Sequence, residues 1–350
     1  MTLRASKPAF NVREKLTELG RRFGLKGSEL AAAETVQEAR DLVSAGRKNY
    51  FINGSALVWQ RGTSGISNSA YNNYGCDRWW LANGATSVDR STTVPSGFQY
   101  SMKYTSNGGS STVGQAIELT ATGVSQFEAG KEYTMSVWAR TDSGESNLTF
   151  IVFYRNSKYS GTNQVNWNPY APTVGKMTTE WKKFTYTFTA PTVNSNNQIL
   201  ATEFSFNKTA YFTGFQFEKG RNATEFEHRS YGEELALCQR YFQNIGTTNF
   251  HTWSHDIADT TGMRLAPWNW PGGPMRASPT LSFDDNAGNS SRFSVRDPDE
   301  ANGGTNISYS ITKNQYGIQT AFKYPHAVSG FSKGQSGYAV AYNLTLSAEL

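Results

Sequence analysis

A pair of histidines towards the C-terminus has the spacing of a metal site. His251 and His255 stand four residues apart, and Asp256 and Asp259 follow them. Two histidines at this spacing lie on one face of a helix and can bind zinc together. The residues between them are Thr, Trp and Ser, which favour a strand or a loop instead. We therefore expect ordinary surface or interface histidines and no bound metal.

Clustered carboxylates in the same region are of the residue type that glycosidases use. Asp284 and Asp285 are adjacent, and Asp297, Asp299 and Glu300 form a second group. Paired carboxylates can hydrolyse glycosidic bonds, but both groups lie among Gly, Asn and Pro, where Asp is favoured for its local hydrogen bonds. The sequence also has no G-x-S-x-G elbow, no P-loop and no dinucleotide fingerprint. We predict a protein that is not an enzyme and keep a polysaccharide depolymerase as an alternative.

A third group of residues has the composition of a sugar-binding surface. Sugar binding requires exposed aromatic faces beside hydrogen-bonding groups. Five residues could supply such a platform: His251, Trp253, Trp268, Asn269 and Trp270. The alternative is that these tryptophans pack in a core or against a neighbouring subunit, as Trp often does in β proteins.

Other chemically distinctive residues are expected to be structural. Trp79 and Trp80 are predicted to pack inside the fold, with Asp77 and Arg78 paired there. Cys76 and Cys238 are far apart in sequence and fit neither a disulfide framework nor a metal clip, so we expect two free thiols. We predict no cofactor, with a structural calcium ion near Asn53 and Glu218 as a further hypothesis.

The composition is that of an extended β protein. The 350 residues include 9 Trp, 18 Tyr and 21 Phe, and only 17% are charged. Polarity therefore comes mainly from Ser, Thr, Asn, Gln and Gly, as in many all-β folds. The chain has no apolar run of the roughly 20 residues that span a bilayer and no apolar segment typical of a secretory signal. We expect no membrane insertion and no export by that route.

Residues 1–48 differ from the remainder of the chain. They contain 10 Lys and Arg against 6 Asp and Glu, and their only aromatic residues are Phe10 and Phe23. Asn11–Glu14 and Thr35–Glu38 have the pattern of capping boxes, so each should begin a short helix. Each helix has one apolar stripe, and two such helices cannot form a core alone. We predict an arm that docks on another protein or on sister copies, the alternative being a solvated extension.

The docking residues of this arm are its apolar stripes and neighbouring arginines. Burial of the stripes would supply affinity, and arginines would pair with carboxylates on the receiving surface. Acidic residues are interspersed and no aromatic platform accompanies the bases, so we expect no nucleic acid. The predicted docking residues are Val12, Arg13, Leu16, Leu19, Arg21, Arg22, Phe23, Val36, Arg40, Leu42, Val43 and Arg47.

From residue 50 the apolar residues alternate as they do in strands. Strands are predicted at Tyr100–Tyr104, Leu148–Tyr154, Phe184–Phe188, Phe204–Phe206, Phe215–Phe217, Ile307–Ile311 and Tyr342–Leu346. Many short strands with polar turns indicate an antiparallel jelly-roll sandwich over residues 49–230. A short helical linker should occupy 231–242, and a smaller β domain 243–350. The predicted fold class is all-β, preceded by the short α-helical N-terminal arm of residues 1–48.

Several segments together resemble tail-fibre-like virion structural proteins of bacteriophages, marine and cyanobacterial ones especially. Each segment alone is a weak indication of this family, but the set as a whole is specific. The set extends from the arm to the start of the last domain. The segments are Asn11–Lys15, Asp41–Asn49, Ile52–Gly54, Trp59–Gly62, Asp77–Trp79, Pro95–Gln99, Phe215–Gly220, Phe226–Tyr241 and Pro274–Thr280.

The resemblance implies a virion component with three parts. These are an N-terminal attachment segment, a jelly roll similar to carbohydrate-binding modules and a C-terminal β domain, commonly assembled as a homotrimer. We accordingly expect a tail fibre or tail-attached adhesin that docks through residues 1–48 on a tail adaptor, nozzle or capsid protein and contacts host surface polysaccharide. A capsid or neck decoration is the alternative site on the particle.

Overall fold

The computed structural model describes most of the chain after the arm. The described residues are 48–67, 74–119, 127–155, 165–166, 173–192, 199–257, 260–265, 267–296, 303–307, 311–320 and 336–349. The chain divides into two compact units, Met1–Tyr50 and Phe51–Leu350. The predicted arm helices and all twelve docking residues lie outside the described residues, so the docking role remains a prediction.

The first part of the larger unit is a ten-stranded antiparallel sheet that folds into a sandwich. Its strands are β1 (Ile66–Ser67), β2 (Trp80–Ser91), β3 (Ser101–Glu118), β4 (Glu132–Thr141), β5 (Ser146–Arg155), β6 (Val165–Asn166), β7 (Thr173–Met177), β8 (Lys182–Thr189), β9 (Ile199–Phe206) and β10 (Ala210–Lys219).

One long strand joins the two layers of this sandwich. The sheet order is β6-β5-β9-β3-β10-β4-β8, with β2 also paired to β3 and β7 to β5. The first half of β3 pairs with β10, whereas Ser111–Glu118 pairs with β9. The β3 strand therefore belongs to both layers, and each layer has its own outer side.

Aromatic rings fill the space between the layers. Trp79 is fully buried, and its ring centroid lies 4.0 Å from that of Phe215 and 6.3 Å from that of Phe204. Trp80 is also buried, but in a separate cluster with Tyr74 and Phe153, so both tryptophans pack inside the protein, as predicted. Removing a buried aromatic ring typically costs about 3–5 kcal/mol of stability, which makes the cluster around Trp79 a principal source of stability for the sandwich.

A single α-helix in the described residues connects the sandwich to the C-terminal region. The helix, α1 (Tyr231–Gln239), begins at a capping box in which Ser230 and Glu233 exchange hydrogen bonds. The buried Glu234 accepts a hydrogen bond from the Asn53 backbone N–H at 2.6 Å and pairs with Arg229 at 3.1 Å. The predicted helix is confirmed, and it ends three residues before the position that the sequence suggested. This helix is too short to cross a membrane, and no helix in the described residues is long and apolar enough to do so.

The C-terminal region forms a six-stranded sheet and a three-stranded sheet. The larger sheet has the order β12-β11-β19-β15-β16, with β14 also paired to β19, and the smaller has the order β13-β18-β17. The strands are β11 (Phe242–Ile257), β12 (Thr260–Leu265), β13 (Trp268–Asn269), β14 (Thr280–Asp284), β15 (Phe293–Arg296), β16 (Gly303–Ile307), β17 (Thr312–Lys313), β18 (Gly317–Thr320) and β19 (Ser336–Ser347).

Two predicted strands in this region differ in detail from the structure. The β16 strand ends at Ile307, and Ile311 lies outside any strand. In β19, Asn343 has a φ of +53°, and the buried face passes from Ala341 to Leu344. The irregularity leaves Tyr342 only half-buried, because a bulge shifts the alternation by one residue. The all-β jelly-roll sandwich with a smaller C-terminal β region is nevertheless confirmed.

Asp77 and Arg78 are buried but do not form the predicted pair. The Asp77 carboxylate accepts a hydrogen bond from Arg61 at 3.0 Å, and Arg78 forms its ion pair with Glu349. Arg78 has a φ of +74°, so the turn directs the neighbouring side chains to different partners. Arg61 also contacts Glu349 at 3.0 Å. A buried ionic network, consisting of Arg61, Asp77, Arg78 and Glu349, therefore joins the sandwich to the end of the C-terminal region.

Candidate functional site

The outer face of β3, β9 and β5 lies on the side of the sheet away from the aromatic core. Phe204 and Phe206 of β9 point into the aromatic core, so Glu203 and Ser205 project to the opposite side by strand alternation. Both are half-buried. We call this surface the Glu203 face, and it is built by cross-strand rows of β3, β9 and β5.

One row of the Glu203 face consists of hydroxyl groups. Ser205 pairs across the sheet with Thr112 of β3 and Thr149 of β5, and Thr149 pairs in turn with Thr173 of β7. The hydroxyl of Ser205 lies 3.1 Å from that of Ser110, and the Thr149 and Thr173 hydroxyls lie 3.4 Å apart. Hydroxyl groups both donate and accept, so this row can match a ligand that does the same.

The next row places a carboxylate beside an aromatic ring. Glu203 pairs with Gly114 of β3 and with Ile151 of β5. Gly114 in turn pairs with Trp80, whose ring lies across it: a Cβ at Gly114 would be 2.4 Å from Trp80 Cζ2. Glycine is therefore needed at this position because it lets the indole lie directly against the strand.

Beyond Glu203 the face becomes apolar. A cluster of buried side chains covers this end, separate from the aromatic core between the layers. Its members are Tyr74, Trp80, Ala116, Phe153, Ile199 and Ala201, with Ile151 packed against them. The six buried members are each at most 4% exposed, so of this cluster the half-buried Ile151 is the side chain that can offer apolar contact to a ligand. Apolar contact beside a carboxylate and a row of hydroxyls is the mixture by which proteins bind sugars, whose rings have apolar faces and polar edges.

The predicted tryptophan platform is divided between the core and the surface. Trp270 is 3% exposed, and its indole N–H donates to the Asn314 carbonyl at 3.0 Å. Trp268 is half-buried and packs edge-to-face against Phe250, with the ring centroids 5.0 Å apart. The packing alternative therefore describes Trp270, whose ring is not open to a ligand, because it fills the core of the C-terminal region.

The remaining platform residues are not placed as one site. His251 and Asn269 are exposed, but they lie on β11 and β13, which belong to different sheets. The side chains of Trp253 and His255 lie outside the described part of the chain. A glycan role for His251, Trp253 and Asn269 stays a prediction.

The carboxylates considered for hydrolysis stabilise a turn by accepting hydrogen bonds. Asp285 Oδ1 accepts the backbone N–H groups of Ala287 and Asn289, each at 2.9 Å, and Asp284 Oδ1 accepts the Ser290 hydroxyl at 3.0 Å. A cavity of about 310 Å³ opens nearby, but neither carboxylate lines it. Its lining residues are Thr280, Leu281, Phe283, Ser291, Ile311 and Lys313. The second group, Asp297, Asp299 and Glu300, lies outside the described residues.

The residues considered for calcium bind protein groups instead. The Asn53 amide donates to the carbonyls of Val58 and Asp77, at 2.9 Å and 3.1 Å. Glu218 accepts hydrogen bonds from Gln216 and Thr224. Within the described residues, no three His, Cys, Asp or Glu side chains are grouped as metal ligands. Asn53 and Glu218 therefore act as local hydrogen-bonding centres.

Both cysteines are buried free thiols, as predicted. Burial raises the pKa of Cys76 and of Cys238 well above the ordinary value, and the nearby Asp77 carboxylate raises both further. A thiol held protonated in this way is a poor nucleophile. Neither cysteine is suited to catalysis.

The part of the chain that is similar to a known protein family is the sandwich. Residues 63–208 match a family model described as "Carbohydrate binding domain", and this span contains every strand of the Glu203 face. No match was found among curated proteins.

Several solved structures are similar to the chain at low identity. A carbohydrate-binding module of the CBM4 group is 20% identical, with 48% of this chain and 98% of that chain aligned at a TM-score of 0.30. A xylan-binding CBM22 domain is 14% identical over 51% of this chain and 98% of that chain, with a TM-score of 0.33. The enzymatically active domain of tailspike protein 4 from bacteriophage CBA120 is 14% identical over 49% of this chain and 21% of that chain, with a TM-score of 0.31. By the family match and its strand arrangement, the β-sandwich has the jelly-roll fold of a carbohydrate-binding module.

Proposed function

We propose that this chain binds glycans through the Glu203 face. The observation that carries the proposal is the family match over residues 63–208, because that span supplies the carboxylate, the hydroxyl row and the half-buried Ile151 of this face. A carboxylate that accepts hydrogen bonds from sugar hydroxyls would fix the orientation of a glycan lying across β3, β9 and β5.

Binding by the full chain to neutral polysaccharides tests this role. Affinity electrophoresis through gels containing xylan, mixed-linkage glucan or galactan should show retardation with at least one of them. Glu203→Gln should weaken the retardation about tenfold, since a charged acceptor is replaced by a neutral group. Glu180→Gln is the matched control, because it removes the same charge from an exposed carboxylate in the turn between β7 and β8. Equal retardation of Glu203→Gln and the unchanged chain would refute the assignment to this face.

We propose further that the chain acts as a non-enzymatic virion protein, a tail fibre or tail-attached adhesin, and that the glycan belongs to the host surface. The resemblance of the arm and sandwich segments to phage tail-fibre-like proteins supports the virion setting. The turn role of Asp284 and Asp285 supports binding rather than hydrolysis. Docking through residues 1–48 and assembly as a homotrimer are part of this proposal.

Localisation on particles tests the virion role. Immunogold labelling or cryo-electron microscopy should place the protein on the tail, and a version lacking residues 1–48 should be absent from particles. Labelling on the capsid would favour decoration instead. A stable monomer at micromolar concentration in sedimentation would contradict the trimer, and release of reducing ends from host glycans would contradict the non-enzymatic role.

A further inference from the structure

The other layer of the sandwich has an outer face of opposite character. Cross-strand pairing sets Lys103 of β3 beside Tyr211 of β10, and Tyr211 beside Arg140 of β4. The neighbouring row sets Trp138 of β4 beside Lys183 of β8. We call this surface the basic face. Its members are Lys103, Trp138, Arg140, Trp181, Lys183 and Tyr211.

Two cations of the basic face lie close to one aromatic ring. The Lys103 Nζ atom and the Arg140 Cζ atom are each 5.5 Å from the centroid of the Tyr211 ring. Neither cation forms an ion pair with a carboxylate in the described part of the chain. The two charges lie at most twice that distance apart, and both side chains are half-exposed.

Two carboxylates that adjoin the basic face are already engaged by the protein. Asp142 accepts the Tyr211 hydroxyl at 2.8 Å, and Asp89, which pairs with Lys103 across the strands, accepts the Gly65 backbone N–H at 2.7 Å. These hydrogen bonds fix both carboxylates without giving either of them a cationic partner. The Arg140 Nε–H donates to the Thr141 carbonyl at 3.2 Å, which leaves its two terminal nitrogens and the Lys103 ammonium for an external anion.

Tryptophans border the two cations. Trp181 packs edge-to-face against Tyr211 with the ring centroids 6.5 Å apart, and Trp138 is half-buried in the adjacent row. Trp138 lies close to Gly214, a bulge residue with a φ of +64°, where a Cβ would approach the Trp138 ring to 3.0 Å. Trp138 therefore packs closely against β10 at this bulge, and half-exposed aromatic side chains flank the two cations.

We propose that the basic face is a second glycan site, which binds an acidic polysaccharide bearing carboxylates along its chain. Lys103 and Arg140 lie on strands that are separated by β10. They therefore match the repeated charges of a polymer better than they match a single small anion. The flat guanidinium of Arg140 suits a carboxylate, and the flanking aromatic side chains suit sugar rings. The Glu203 face has a carboxylate at its centre and repels such a ligand, so the two faces have different ligands.

Charge and ring geometry favour an acidic polysaccharide over a nucleic acid. The Tyr211 ring, which is nearest the cations, is only 7% exposed and offers no open surface on which a base could stack. The half-exposed Trp138 and Trp181 would accept a base or a sugar ring alike. Two unpaired cations are also few for a phosphate backbone, whose binding strength grows with the number of phosphates neutralised.

The test measures binding of the full chain to polygalacturonate by isothermal titration calorimetry, with fully methyl-esterified polygalacturonate as the uncharged counterpart. We expect binding to the acid only, with affinity that falls as salt rises. Lys103→Gln/Arg140→Gln should weaken it at least about tenfold, since two charge-assisted contacts are lost. The double variant Lys131→Gln/Lys176→Gln removes the same charge from exposed positions elsewhere and should bind as the unchanged chain does.

Three results would overturn the proposal. The first is no binding to polygalacturonate by the unchanged chain. The second is undiminished binding by Lys103→Gln/Arg140→Gln when its circular dichroism and thermal transition match those of the unchanged chain. The third is binding of a single-stranded oligothymidylate that depends on Lys103 and Arg140 while polygalacturonate is ignored. Glu203→Gln should leave polygalacturonate binding intact, which separates this proposal from the one on neutral glycans.

Discussion

Replacement of Asp77 by Asn should change how the stability of this protein depends on pH. Burial raises the pKa of the Asp77 carboxyl from 3.8 to about 6, although the Arg61 guanidinium and hydrogen bonds from Gln60 act in the opposite direction. The folded chain therefore binds this proton more tightly than the unfolded chain does. Asp77 favours folding at low pH, and its contribution is lost as the pH rises through 6.

The size of the effect follows from the two pKa values. One pKa unit corresponds to 1.36 kcal/mol, so a rise of about two units makes the folded state about 3 kcal/mol less stable at pH 7 than at pH 3, through this group alone. In Asp77→Asn the group does not titrate. The free energy of unfolding of the unchanged chain, minus that of the variant, should therefore fall by about 3 kcal/mol over this range.

Urea unfolding followed by tryptophan fluorescence measures this difference, because Trp79 lies two residues from Asp77 in the core. Both proteins are unfolded at several pH values, and only the difference between them is compared, so that the other titrating groups cancel. If the ion pair with Arg61 outweighed burial, the pKa of Asp77 would lie below 3.8. The difference would then rise with pH, and the reasoning from burial would be refuted.

Two further substitutions test other parts of the structure. Gly114→Ala should lower the free energy of unfolding by about 1–3 kcal/mol, because a Cβ there would overlap the Trp80 ring. The same substitution should weaken glycan binding at the Glu203 face. Unchanged stability in urea unfolding would contradict the contact between Gly114 and Trp80. Ser230→Ala should lower the free energy of unfolding by about 1 kcal/mol in the same assay, since the helix loses its N-cap. The affinity for neutral glycans should stay within twofold. A larger loss of affinity would show that helix α1 supports the Glu203 face.

Most of what could be predicted of the fold follows from the alternation of apolar and polar residues along the strands. The pattern around Phe204 and Phe206 predicts a strand with one buried face, and the same pattern leaves Glu203 and Ser205 on the other face. The aromatic half of this pattern predicts the core, whereas the polar half was not part of the predicted glycan site. The signal for the Glu203 face was the regular interleaving of polar residues within an aromatic strand.

The contacts between residues that are far apart in sequence could not be predicted in the same way. Asp77 and Arg78 are adjacent and of opposite charge, which suggests a pair, yet their partners Arg61 and Glu349 lie 16 and 271 residues away. Similarly, the sequence Trp268–Trp270 does not reveal that Trp270 faces a core completed by Phe250 and Ile318. Alternation gives the face of a strand, but it does not say which segments meet there.

The central position of β19 has a consequence for the rate of folding. This strand pairs with β11, β14 and β15, and Phe242 at the start of β11 pairs with Ser347, more than one hundred residues later in the chain. Contacts between such distant segments form slowly, because a long loop must be closed before they contribute any stability. Until β19 is in place, β11 presents an unpaired edge at which partly folded chains can associate. High-level expression should therefore favour low temperature, at which aggregation competes less with this slow step.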